Sequence, residues 1–150
     1  MKSKRFEPIQ EIAANSATAL SRAMAEAEGK VRDMERQMEQ LRSYRDEYAR
    51  QSAQSAGSTD AVSLQNYRSF LDRLGDALRL QTQNLGLARA EYETRRAQWS
   101  AKRVEAESLS RAIARFRDEE RRVDEQREQR DSDEAAMRLA LGARGDSPGY

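Results

Sequence analysis

Along residues 13–48, small and apolar side chains recur at alternating steps of four and three: Ala13, Ala17, Leu20, Met24, Ala27, Val31, Met34, Met38 and Leu41, with Arg45 interrupting before Tyr48. A mean step of 3.5 residues, kept for about five heptads, is the pattern that winds one helix around another. The row stops at Ser52, where "SAQSAGSTD" supplies Gly57 to turn the chain and Asp60 to cap a second helix. A second row with the same alternation then runs through Tyr67, Leu71, Leu74, Leu78, Gln81, Leu85, Ala88, Tyr92, Arg95, Trp99, Lys102, Ala106, Leu109, Ile113, Phe116, Glu120 and Val123. Gln81, Arg95, Lys102 and Glu120 place long polar side chains in this second row. Such side chains can carry their polar ends to water, and interruptions of this kind trade stability for register or partner choice.

Two heptad helices joined by a short polar loop fold back on each other, because closing a short loop costs little entropy. The expectation is an all-α chain: two long helices in an antiparallel coiled-coil hairpin, the second longer and overhanging, as one domain over residues 1–141. The first helix is expected over about residues 8–52, since the fixed φ of Pro8 suits a first helical turn. Next come a loop at about 53–60 and a second helix over about 61–141, with Gly142 as its stop and residues 142–150 as a flexible tail. Two registers fit. Seam residues whose numbers sum to 119 put Leu41 against Leu78, Leu20 against Trp99, Val31 against Ala88 and Ala27 against Tyr92, the last two setting large against small. A one-heptad shift, to sums of 112, also gives acceptable layers and centres the turn nearer Gly57. In either register a helix starting at Pro8 leaves about 30 residues of the second helix without a partner in the chain, and a lone amphipathic helix is marginal in water.

Composition narrows the class. Only 37% of the 150 residues are apolar, 35% are charged, and the mean hydropathy is −1.01. That is too polar for a thick core, but it suits helices that each bury one stripe. Two prolines and seven glycines speak for helix over disorder. A net charge of +1 gives no field for duplex nucleic acid. The absence of cysteine and histidine removes disulfides, thiolate chemistry, the usual zinc ligands and the commonest general base. "MKSKRFEP" is basic but leads into no apolar run, so a cytoplasmic protein without cofactors is expected. No glycine-rich loop leads into Lys-Ser/Thr, and a two-helix structure encloses no pocket, so the chain is not expected to be an enzyme.

"LRSYRDEYARQ" then raises its own question, because it spends two tyrosines beside the turn. Gln37, Leu41, Tyr44 and Tyr48 form a stripe at steps of four, three and four, and Phe70, Leu74, Ala77 and Gln81 repeat those steps on the second helix. Paired in reverse, each couple sums to 118, so the stripes run side by side. They are either edges of the seam where a turn needs extra packing, or a partly exposed patch that docks a partner through aromatic anchors.

The stretches "LRSYRDEYARQ", "LQNYRSFLDRLGDAL" and "WSAKRVEAESL" together resemble the flagellar export protein FliJ family, most densely over residues 37–109. The YxxxY, NYxxF and WxxKR elements at these separations carry the resemblance beyond shared heptads. It implies a hairpin similar to the stalk subunit of rotary ATPases, cytoplasmic and peripherally associated with the inner membrane at the flagellar base. Such a protein enters the ring of the export ATPase (FliI), promotes its assembly, contacts the export-gate membrane protein (FlhA) and handles export chaperones. The gate-binding residues of the family map onto Gln37, Leu41, Tyr44, Tyr48, Phe70, Leu74 and Ala77, and onto Gln81 where some members are expected to carry histidine. Gln81 keeps a neutral hydrogen-bonding group but supplies nothing that titrates. ATPase binding falls to the opposite end, with Phe6, Ile9, Ile12, Ile113, Phe116 and Val123 as candidates.

Two alternatives stand beside this: a generic coiled-coil adaptor or homo-oligomer that pairs its overhang with another copy, and the equivalent stalk of a virulence-type secretion system. Residues 115–134, rich in both charges, read as a solvated helix face with ion pairs such as Arg121 with Glu125. "RGDS" at residues 144–147 is a chance match to an adhesion tripeptide. Gly75 and Gly86 either permit close approach or bending, or are tolerated defects.

Overall fold

The computed structural model describes residues 1–54 and 60–145. Two helices account for them: α1, Lys2–Gln54, and α2, Ala61–Gly145, with no strand among the described residues. The chain is an all-α antiparallel helical hairpin. Its contacts divide it into two units, one made of residues 1–15 and 103–150, the other of residues 16–102.

In the unit of residues 16–102 the heptad rows form the seam. Met38, Leu74, Leu78, Leu85 and Ala88 are buried, and every row position from Ala17 to Ser52 and from Tyr67 to Lys102 is at least half-buried. Burying one such Leu or Met contributes roughly 1.5–3 kcal/mol. The exposed ion pairs across the seam, Glu35 with Arg89 at 3.1 Å and Lys30 with Glu91 at 3.9 Å, contribute at most about 1 kcal/mol each. Packing therefore dominates, and the pairs help to fix alignment. The alignment follows the register of sums near 119: Gln37 meets Gln81 and Tyr48 meets Phe70, each couple summing to 118. The polar row residues keep their ends occupied, Gln81 on Gln37 and Arg95 on Glu91 one turn away.

In the unit of residues 1–15 and 103–150, Ala13, Ala106 and Ile113 are buried, while every residue from Arg121 to Arg144 is exposed. Arg121 pairs with Asp118, Arg138 with Glu134, and Gln129 bonds Asp133, so the charge-rich tract is a solvated face laced by short-range pairs.

The helix boundaries differ from the sequence reading at two places. α1 begins at Lys2 and runs through Pro8, although an interior proline removes one backbone bond and crowds the preceding turn. Contacts of its first two turns with Phe116, Arg117 and Glu120 of α2 hold these residues in place. α2 continues through Gly142 to Gly145, and no described glycine has positive φ, so Gly142 does not form the left-handed cap that ends a helix. Asp60 caps α2 as expected: the Ser63 N–H donates to its carboxylate at 2.9 Å, which holds that carboxyl below its ordinary pKa. The expected turn at Gly57 and the tail beyond Gly145, with Asp146 and Ser147 of "RGDS", lie outside the described residues.

Candidate functional site

Within residues 16–102 the two stripes lie side by side. The Gln81 side-chain amide donates to Gln37 Oε1 at 3.2 Å, and the Tyr48 and Phe70 rings sit 4.5 Å apart. Phe70 also meets Tyr44 edge-on at 6.0 Å, and Tyr48 stacks on Tyr67 at 5.2 Å. Phe70 is thus the hub of an aromatic group drawn from both helices. Tyr67 belongs to it too, although the heptad count assigns it only to the seam. Its place three residues ahead of Phe70, in "NYRSF", is the signal that could have found it.

Burial sorts the stripe residues by what they can offer. Leu74, 8% exposed, is spent on the seam. Leu41, Tyr48, Phe70 and Gln81 are half-buried, while Gln37 and Ala77 are exposed. Tyr44 stands out at 54% exposed. Its ring walls two shallow grooves, one lined by Gln37, Gln40, Leu41 and Gln81, the other by Arg36, Glu39, Gln40, Ser43 and Glu47. An aromatic ring with a hydroxyl, flanked by amides and braced from behind by Phe70, suits recognition of a protein surface, where such anchors carry much of the binding energy.

In the unit of residues 1–15 and 103–150, Phe6 stacks on Phe116 with ring centroids 5.4 Å apart, and the Lys2 ammonium lies 5.8 Å from the Phe116 centroid. Glu7 pairs with Arg117. Ser3 is 4% exposed, and the Glu120 carboxylate accepts both its N–H, at 3.1 Å, and its hydroxyl, at 2.6 Å. A helix start leaves backbone N–H groups without partners, and here a side chain from the other helix takes one of them. The Ser3 hydroxyl, then the Ser3 N–H, hold the Glu120 carboxyl below its ordinary pKa, with smaller help from the amino terminus and Arg117.

These contacts revise the expected overhang. A first helix starting at Pro8 would leave Ile113 and Phe116 without partners, yet Ile113 is 5% exposed and Phe116 lies under Phe6. Val123, 45% exposed, is the first row residue to face solvent, and Ile9 and Ile12 are exposed as well. Val123 helps to line a hollow with Met1, Lys2, Phe116, Glu120 and Arg127. Glu120, expected only as a polar interruption of the seam, has a bonding role that periodicity could not show.

Among the described residues no helix is long and apolar enough to cross a membrane, and no cluster of carboxylates is arranged to hold a metal ion. Compared with known proteins, the chain matches the family model described as flagellar FliJ protein over residues 1–145. No curated protein and no solved structure matches it. With that match spanning both helices, the chain belongs to the flagellar FliJ family, non-enzymatic components of the flagellar export apparatus.

Proposed function

We propose that this chain is a stalk-like hairpin of the flagellar export apparatus, which binds the export ATPase (FliI), promotes assembly of its ring, docks on the export-gate protein (FlhA) and handles export chaperones. Family membership supports the setting. The observation that carries the gate contact is Tyr44: a large aromatic side chain left 54% exposed while Phe70 fixes its ring edge-on. A residue needed only for packing gains more from burial, whereas a docking anchor gains from being braced and open. Gln37, Leu41, Tyr48, Phe70, Ala77 and Gln81 make up the rest of the docking face, and Leu74 supports it from the seam. Phe6, Ile9, Ile12, Ile113, Phe116 and Val123 are the ATPase-binding group, in which exposed Ile9, Ile12 and Val123 make first contact. Association with the inner membrane would then run through the gate.

The test titrates the purified gate cytoplasmic domain with the wild-type chain and with Tyr44→Ala, following melting temperature in parallel. Binding weakened at least tenfold with little loss of stability supports docking. Binding kept while stability drops assigns Tyr44 to packing. Stimulated ATP hydrolysis and more hexameric rings on adding the chain to the export ATPase test the motor contact. A second reading, a homo-oligomer, is favoured by Met137, Leu139 and Leu141, 67%, 76% and 66% exposed on the uncovered part of α2. A stable dimer at micromolar concentration, seen by light scattering, would support it.

A further inference from the structure

We propose that the first turn of α1 is a latch held by Glu120, and that releasing it uncovers Phe116 while the rest of the pairing stays intact. A helix starting at Lys2 must carry Pro8 in its interior, so the residues before the proline are poorly supported by their own backbone. What holds them comes from α2: Arg117 pairs with Glu7 at the surface, and the remaining contacts are concentrated on two residues. Phe116 supplies the ring under Phe6 and beside Lys2, and Glu120 accepts the N–H and hydroxyl of Ser3.

The two contacts have different characters. Ring stacking is tolerant of sliding, whereas the carboxylate takes two donors from a single residue and so fixes where α1 starts. Negative charge beside a helix start is also favourable, because the backbone dipoles leave partial positive charge there. The groups around Glu120 are of mixed sign: Lys2, Glu7 and the amino terminus on α1, with Arg117, Glu119, Asp124 and Arg127 on α2. No cation there could take over the contact to the Ser3 N–H, since only an acceptor satisfies that group. From Ala13 onward the buried row takes over, and pairing no longer depends on the latch. The latch is thus a local opening unit, of the kind that opens below the free energy of global unfolding. It is a property of the chain alone, so it holds or fails apart from the proposed contacts with the export ATPase.

Hydrogen exchange of the full chain, read by mass spectrometry on peptides covering residues 2–12 and residues 13 onward, tests this. Glu120→Ala should speed exchange of the Ser3–Phe6 segment about tenfold and leave residues 13–54 and 61–113 protected. Glu120→Gln, which keeps an acceptor but loses the charge, should give a smaller increase, and Glu119→Gln none. Unchanged exchange of the first turn in Glu120→Ala would overturn the latch. So would an equal rise along the whole of α1, which would make Glu120 a contributor to global stability. A third contrary outcome is opening by Phe6→Ala with none in Glu120→Ala, which would hand the role to the ring stack.

Discussion

The two aromatic groups of this hairpin use similar side chains for different ends. The pair Phe6–Phe116 is closed: both rings are half-buried, and Glu120 takes the N–H and hydroxyl of Ser3 at the adjoining helix start. The group around Phe70 is open, with Tyr48 and Tyr67 stacked inside it and Tyr44 left 54% exposed at its edge. Stacking alone therefore does not single out the proposed gate-docking face; what supports it there is the exposure of the outermost ring.

Substitutions can break this contrast or sharpen it. The largest effect is expected at the hub: Phe70→Ala removes the ring that both Tyr44 and Tyr48 touch and should cost about 2–4 kcal/mol in chemical denaturation. Phe6→Ala should cost less, about 1–2 kcal/mol, because it frees one short segment and one ring pair. Tyr44→Ala should lower stability by under about 1 kcal/mol while weakening the proposed gate docking at least tenfold, and a stability loss as large as that at Phe70 would erase the distinction between the groups.

A gentler probe is acid. The Glu120 carboxyl sits below its ordinary value of 4.5 when folded, so its stabilisation is complete above that value and is lost as pH falls through the lower folded value. Stability measured below about pH 5 should therefore decline, and Glu120→Gln should flatten part of that decline. Asp60 acts with the same sign, so part of the slope remains in the variant. The smallest shift is expected at Gly86, where an added Cβ meets nothing within 4 Å; Gly86→Ala should gain about 0.5–1 kcal/mol, read from the melting temperature. That open space answers the question of its role, since no close approach there requires a glycine. At Gly75 an added Cβ would meet only the flexible end of Arg79.

The seam was legible because its signal is repetitive. A period of 3.5 residues sums over many positions, so Arg45 or Gln81 cannot erase it. The paired stripes were legible for the same reason, and Gln37–Gln81 and Tyr48–Phe70 meet as their spacing required. Single-residue signals did worse. Local preference makes Pro8 a start and Gly142 a stop, yet both lie inside helices, Pro8 in a segment anchored by Phe116 and Glu120 more than a hundred positions away. Glu120 and Tyr67 escaped for a related reason: their roles depend on which side chain arrives from the other helix, and periodicity says only that something does. Leu74 shows the converse, since a stripe that edges a seam includes a residue the seam consumes.

The thinness of the seam has a thermal consequence. Among the described residues no large side chain is wholly buried, so melting hydrates little new apolar surface for each residue released. Globular domains take up about 12–15 cal/mol/K per residue on unfolding, chiefly from such surface, and this hairpin should fall below that. Its stability curve is then broad and shallow, with similar free energies from cold to warm growth conditions. The chain would hold its pairing across temperatures through flatness of the curve, without needing a high maximum.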